Sequence, residues 1–166
     1  MSISSIFSTN QKISGSYVSL TISNQFEELV HVALWLEQIA QHYKLPERTI
    51  FKLDVVLNEA LPNIISYAYS DQLLHDILIK FEDNDDHIVL EIIDDGIAFN
   101  PFTIHSLPDH VSLESASING RGIHLIKSYS SEQQYQRVDN TNVMRVVIHK
   151  SPECSKEYPH IEEGVA

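Results

Sequence analysis

A chain of 166 residues fits one domain with a single hydrophobic core. Its 43% hydrophobic and 20% charged residues are ordinary for a soluble globular protein, and no apolar run approaches the roughly 20 residues that span a bilayer. Eleven Lys and Arg against 23 Asp and Glu give a net charge of −12, which disfavours nucleic acid and anionic membranes as partners. Because the first basic residue is Lys12 and no signal cleavage site is visible, we expect a cytoplasmic protein.

The first half of the chain predicts one strand and two helices. Residues 1–15 are Ser-rich and aperiodic, and we expect a flexible N-terminal segment. Residues 17–23 alternate and predict a strand. Asn24 and Glu27 have the spacing of a capping box, which predicts a helix that runs to about Tyr43. Pro46 ends that helix, and an apolar stripe predicts a second helix from Pro46 or Glu47 to Tyr69.

The second half predicts two hairpins separated by a loop and a helix. Residues 77–81 and 88–93 have period-2 patterns around an acidic turn, which is typical of a hairpin. Residues 102–119 have no period and predict a long loop of the kind that is often functional. We expect a helix over 121–130, strands near 133–138 and 143–149, and a polar C-terminal tail over 151–166.

This order of elements predicts an α+β protein. Its helices should cluster on one face of a mixed, mostly antiparallel sheet, which makes a two-layer α/β sandwich over residues 16–150. A Rossmann fold is disfavoured because strands and helices do not alternate regularly, and Gly120-Arg121-Gly122 lacks the third glycine of the dinucleotide motif.

The second predicted helix carries the first candidate site residues. Glu59 and Asn63 are one turn apart, at the margin of the apolar stripe, where side chains can line a cleft. A carboxylate there could accept a proton from a hydroxyl or water, and an amide oxygen is a suitable Mg²⁺ ligand beside substrate phosphates. An exposed pair on an ordinary helix is the other interpretation.

Two further motifs point to a nucleotide. Asp94 ends a strand, where an enclosed carboxylate could accept a hydrogen bond from the exocyclic amine of adenine, and Gly96 would let the backbone approach the base. Gly120 and Gly122 are placed to open a helix whose free N–H groups can face phosphates. Taken singly, each motif also fits an ordinary turn or helix start. In this order, however, they predict one ATP site.

Three segments carry a resemblance to a known family. Residues 58–69 (NEALPNIISYAY), 90–101 (LEIIDDGIAFNP) and 120–127 (GRGIHLIK) resemble the Bergerat-type ATP-binding fold shared by DNA gyrase, heat-shock chaperones, histidine kinases and mismatch-repair ATPases. More closely, they are similar to the bacterial anti-sigma-factor serine/threonine kinases. The resemblance covers about residues 17–150.

The resemblance implies a function and a set of roles. Glu59 would be the catalytic base and Asn63 the magnesium ligand; the other nucleotide contacts would be Asp94, Gly96, Gly120, Gly122 and a polar residue on the last strand, either Thr141 or Asn142. Arg121 could replace a lid arginine at the phosphates. The cofactors would be ATP and Mg²⁺, and the reaction would transfer the γ-phosphoryl group to Ser or Thr of an anti-sigma-factor antagonist. A sigma factor would be the second partner, and a homodimer would form through the first strand or helix.

Some residues depart from the family pattern. Pro62 lies inside the second helix, where proline removes an N–H donor, and the loop over 102–119 contains no Lys or Arg. These departures motivate an alternative function, in which a non-catalytic nucleotide-binding module sequesters a sigma factor or another regulator. Trp35, Tyr67 and Tyr69 are predicted to be aromatic residues of the core, with a partner-binding face as the alternative.

Overall fold

The computed structural model describes residues 11–14, 17–103 and 118–150. The predicted C-terminal tail, most of the predicted loop and residues 1–10 of the predicted N-terminal segment lie outside these described residues. Among the described helices, none is long and apolar enough to cross a membrane.

The described strands form one six-stranded sheet in the order β1-β2-β3-β4-β6-β5. Every neighbouring pair in it is antiparallel. The predicted α+β sandwich is confirmed, but the described sheet is antiparallel throughout and not mixed. The strands are β1 (Gln11–Ser14), β2 (Tyr17–Ser23), β3 (Asp76–Asp83), β4 (His87–Asp94), β5 (Glu132–Val138) and β6 (Thr141–His149). Strand β1 falls inside the predicted N-terminal segment and forms an edge of the sheet.

Three α-helices pack on one face of the sheet. They are α1 (Leu29–Tyr43), α2 (Glu47–Tyr67) and α3 (Ile118–Tyr129), and a short 3₁₀ turn, Phe26–Glu28, precedes α1. The core-facing side chains of the sheet follow the period of 2 that the sequence shows, so that Leu20, Ile79, Ile92 and Met144 are buried in register across four strands. Trp35 of α1 and Leu53 of α2 close this core from the helical side.

The predicted capping box at Asn24 is wrong. The side-chain Nδ2 of Asn24 donates to the carbonyl of Leu73 at 3.2 Å, and its Oδ1 accepts from the backbone N–H of His75 at 3.0 Å. Asn24 therefore ties the end of β2 to the segment before β3. The 3₁₀ turn begins after Gln25, with no side-chain cap. A tertiary contact has replaced the local one because β2 and β3 are sheet neighbours.

Helix α3 begins earlier than predicted. Its first residue is Ile118 and not Arg121, so Gly120 is the third residue of the helix and Gly122 the fifth. The first four N–H groups of a helix have no partner within it, and Gly120 is among them while Gly122 is not. Gly122 must therefore be required for another reason.

Candidate nucleotide site

A cavity of about 280 Å³ opens between α2, α3 and the ends of β4, β5 and β6. Its volume lies just below the roughly 300–1,000 Å³ of ordinary ligand pockets. Its polar lining comes from Asn63, Asp94, Tyr135 and Asn142. Tyr67 contributes an aromatic ring that carries a hydroxyl. The remaining lining residues are apolar: Ala60, Ile64, Ala68, Ile97, Phe99, Pro101, Ile123, Ile126 and Met144. Three predicted site residues on separate elements thus border one space.

Asp94 is the buried carboxylate of the cavity. Only 5% of its surface is exposed. Its Oδ1 accepts hydrogen bonds from the backbone N–H of Gly96 at 2.9 Å and from Nδ2 of Asn142 at 2.8 Å. Burial raises the pKa of Asp94, while these two hydrogen bonds and the charge of Arg137 act in the opposite direction. Because both hydrogen bonds from described residues end on Oδ1, Oδ2 is the acceptor left for a ligand.

Asn142 owes its orientation to the β5–β6 hairpin. The hydroxyl of Tyr135 donates to its Oδ1 at 2.8 Å, and Nη1 of Arg137 donates to the same oxygen at 2.7 Å. The Nδ2 group must therefore face Asp94 and the carbonyl of Ile97, which it reaches at 2.9 Å. Asn142 is also the direct cross-strand partner of Asp94. Of the two residues predicted for this position, Asn142 supplies the cavity lining, and Thr141 pairs with Val138 beside the hairpin turn.

Two residues of the site, Tyr135 and Arg137, were not predicted from the sequence. Arg137 also donates to the carbonyl of Gly96 at 2.7 Å, so it joins the last hairpin to the turn after β4. Both residues occupy the half-buried positions of an edge strand whose burial alternates. That alternation was visible in the sequence as Gln133, Tyr135 and Arg137, and it would have placed the three side chains on one face.

Gly96 is required for contact between α2 and the β4 turn. A Cβ at this position would lie 2.5 Å from Cβ and 2.7 Å from the carbonyl oxygen of Ala68. The backbone N–H of Ile97 donates to that same carbonyl at 2.8 Å. The sequence predicted that Gly96 allows a close approach to the base; the structure shows a close approach to the residue that caps α2.

Glu59 lies against α3. A Cβ added at Gly122 would lie 2.5 Å from Oε2 of Glu59 and 3.5 Å from Nδ2 of Asn63. Gly122 is therefore the position where α3 leaves space for the candidate base, which accounts for its place inside the helix and not at its opening.

Asn63 borders both the cavity and Glu59. Its Nδ2 donates to the backbone carbonyl of Glu59 at 2.7 Å, so Oδ1 is the atom directed away from α2. An outward oxygen suits the Mg²⁺ role predicted for Asn63. Among the described residues no group of three or more His, Cys, Asp or Glu is arranged to hold a metal. A cation here would thus rely on Asn63, water and the ligand's own phosphates, which is the usual way in which Mg²⁺ accompanies a nucleotide.

Helix α3 begins close to Glu59, because Gly122, its fifth residue, lies against that side chain. Gly120 is in the first turn of the helix, where free N–H groups and the positive end of the dipole can meet an anion. Arg121 follows with an exposed side chain. Of the two environments predicted for Tyr67, the core is wrong: Tyr67 is 58% exposed and lines the cavity, whereas Trp35 is buried.

The whole candidate site lies within the part of the chain that matches a known protein family. Residues 22–148 match the histidine kinase-like ATPase domain family. The chain is also 32% identical over 119 residues to the serine/threonine-protein kinase BtrW of Bordetella bronchiseptica. That similarity extends over 72% of this chain and 84% of the relative.

Proposed function

The chain belongs to the histidine kinase-like ATPase domain family, and on that premise we propose that it is an ATP-dependent serine/threonine kinase that acts as an anti-sigma-factor-type regulator. The name of the relative, a serine/threonine-protein kinase, supports the reaction type. We further propose that the phosphoryl acceptor is a Ser or Thr of an anti-sigma-factor antagonist and that a sigma factor is the alternative partner. The protein would work in the cytoplasm, as a homodimer.

One observation carries this proposal: Asp94, Asn142 and Asn63 border a single cavity, with Glu59 beside it. Oδ2 of Asp94 would accept the hydrogen bond from the exocyclic amine of adenine, and the apolar walls would enclose the base. Oδ1 of Asn63 would hold Mg²⁺, which neutralises phosphate charge when it is bound. Glu59, one turn before Asn63, would accept the proton of the acceptor hydroxyl.

Isothermal titration calorimetry with ATP, ADP and GTP, each with and without Mg²⁺, tests the site. We expect ATP and ADP to bind, and Mg²⁺ to raise the affinity for ATP. GTP should bind at least about 10-fold more weakly, because the O6 atom of guanine brings an acceptor towards a carboxylate where adenine brings a donor. Equal affinity for ATP and GTP, or no binding of either, would contradict the proposed site.

A second function, a non-catalytic module that sequesters a regulator, is favoured by the position of Pro62. This proline lies in α2 between Glu59 and Asn63, the two side chains that need the most accurate placement for transfer. Incubation with γ-labelled ATP, Mg²⁺ and a panel of candidate antagonist proteins separates the two functions. Transfer of label to a serine supports the kinase. ATP binding without transfer to any candidate supports the module.

Gly122→Ala should lower the rate of phosphoryl transfer without lowering the stability of the protein. The new Cβ would collide only with the end of the Glu59 side chain, which can rotate, and alanine is favoured over glycine in a helix by about 1 kcal/mol. We expect the melting temperature to be kept or raised. Transfer should fall by about 100-fold, because displacing a catalytic group by about 1 Å costs that much.

Ser128→Ala on the same helix is the matched control for Gly122→Ala. Ser128 is exposed, and its hydroxyl bonds only the carbonyl of His124 one turn away among the described contacts. The Ser128→Ala variant should leave the rate of phosphoryl transfer unchanged. If Gly122→Ala also transfers phosphate at the parental rate, the position of the Glu59 carboxylate against α3 is not needed for catalysis.

A further inference from the structure

An apolar groove runs along the outer face of the α1–α2 hairpin, on the side of α2 that faces away from Glu59 and Asn63. Its floor is formed by Ala33, Leu36 and Ala40 of α1 with Ile50 and Phe51 of α2. It encloses about 560 Å³. None of these residues belongs to the candidate nucleotide site, so the groove needs its own explanation.

The apolar surface continues beyond the groove. Phe51 is 54% exposed, and on α1 Val30 and Leu34 are 57% and 52% exposed. Val30, Leu34 and the groove residue Gln41 are separated by four and seven residues, which places them on one face of the helix. This face extends from Val30 to Gln41, or about 16 Å at 1.5 Å per residue. Val30 and Leu34 thus extend the apolar floor of the groove towards the start of α1, whereas Gln41 at the other end of this face is polar. Exposed apolar side chains bordered by polar ones are typical of a protein interaction site.

The rim of the groove is acidic. Glu37 on α1 and Glu47 and Asp54 on α2 line it, and no Lys or Arg is among its lining residues. The whole chain carries a net charge of −12. A second copy of this chain would bring more negative charge to the rim, so like-charge repulsion disfavours self-association through this face and leaves the first strand for the proposed homodimer.

The segments outside the described residues do not carry the positive charge that would complement the acidic rim. Residues 1–10 contain no Asp, Glu, Lys or Arg. Residues 104–117 contain Asp109 and Glu114 and no Lys or Arg. Residues 151–166 contain four glutamates and a single lysine, Lys156. Charge complementarity therefore has to come from another protein.

We propose that this groove binds an amphipathic α-helix of a partner protein, with large apolar side chains on one face and Lys or Arg on both flanks. The apolar face would cover Leu36, Ala40 and Phe51, and the basic flanks would meet Glu37 and Asp54. Helix-in-groove recognition uses apolar anchors at i, i+3 or i+4, and i+7, and the 16 Å face fits about three turns of such a helix. This surface is independent of the nucleotide site, so either assignment can fail alone.

A model peptide tests the proposal. The probe is a fluorescein-labelled peptide of roughly 14 residues, with leucines at helical spacing and lysines on both flanks. A peptide of the same composition, with its order changed to scatter the leucines, is the control. We expect saturable binding of the patterned peptide to the full-length protein in fluorescence anisotropy. The scattered peptide should bind at least about 10-fold more weakly, because it cannot place its apolar side chains on one face.

Charge reversal locates the binding face. The double change Glu37→Lys with Asp54→Lys should weaken binding of the patterned peptide by about 10-fold or more. Both positions are exposed, and the lysines that replace the carboxylates would repel the lysines of the peptide. Asp85→Lys with Glu132→Lys makes the same change of net charge at exposed positions elsewhere and should leave the affinity within about two-fold. Phe51→Ala should weaken binding through loss of the apolar anchor.

Four results would overturn the proposal. They are the absence of peptide binding, equal binding of both peptides, equal weakening by the two charge-reversal pairs, and a loss of self-association in Phe51→Ala by sedimentation velocity. The last result would show that a second copy of the chain occupies the groove. We expect the parent protein and Phe51→Ala to sediment alike.

Discussion

Glu59→Gln is expected to lower phosphoryl transfer by about 100- to 10,000-fold, the usual contribution of a positioned general base. The amide keeps the size of the side chain and its place beside Gly122, but it cannot accept the proton of a serine hydroxyl. ATP affinity should change little, because Asp94, Asn142 and Asn63 supply the cavity contacts. Initial rates with labelled ATP and titration calorimetry measure the two effects separately.

Glu132→Gln is the matched control for this change. Glu132 starts an edge strand and is exposed, so the same substitution there removes one negative charge without touching the site. It should leave transfer and binding at the parental values. Parental rates in Glu59→Gln would show that another group accepts the proton, or that no base is needed.

Asp94→Asn is expected to weaken ATP binding by roughly 10- to 150-fold, the range for loss of a hydrogen bond to a charged group. An asparagine can keep Oδ1 as the acceptor from Gly96 and Asn142, and it then presents an N–H donor where Oδ2 stood. That donor opposes the exocyclic amine of adenine and suits O6 of guanine. The ratio of ATP to GTP affinity should therefore fall, which calorimetry measures.

The same substitution should not destabilise the apo protein. Because burial raises the pKa of Asp94, the native state holds its proton more strongly than the unfolded chain does, and the ionised carboxylate lowers stability at neutral pH. The melting temperature of Asp94→Asn at pH 7 should thus equal or exceed that of the parent. Asp95→Asn is the control: its exposed carboxylate bonds His75 and should leave nucleotide binding unchanged. Parental ATP affinity in Asp94→Asn would contradict the assigned adenine contact.

Local patterns predicted the elements well because their causes are local. The alternating runs predicted β2, β3 and β4, and the strands expected near 133–138 and 143–149 correspond to β5 and β6, all to within one or two residues. The apolar stripe predicted α2 together with the margin that carries Glu59 and Asn63. Motif order predicted that Asp94 and Asn63 would border one cavity, and they do.

The contacts that the sequence patterns did not predict are those made with a distant partner. Asn24 forms hydrogen bonds with the segment before β3 instead of capping a helix. Gly96 packs so closely against Ala68, the capping residue of α2, that a Cβ would not fit between them. Gly122 leaves space for the side chain of Glu59, which is 63 positions earlier in the chain. The roles of Tyr135 and Arg137 depend on Asn142, their neighbour across the β5–β6 hairpin. No single-sequence period encodes such pairings, because each is set only once the sheet and the helical layer have packed together.

The contact between Ala68 and Gly96 has a consequence for substrate length. Helix α2 carries Glu59, and its capping residue, Ala68, is fastened to the turn that follows Asp94. Glu59 and Ala68 are nine positions apart, which corresponds to about 13 Å along the helix axis. A base held at Asp94 in the proposed site would reach Glu59 only through a chain of phosphates, so we expect a bound nucleoside or monophosphate to leave the space beside Glu59 empty.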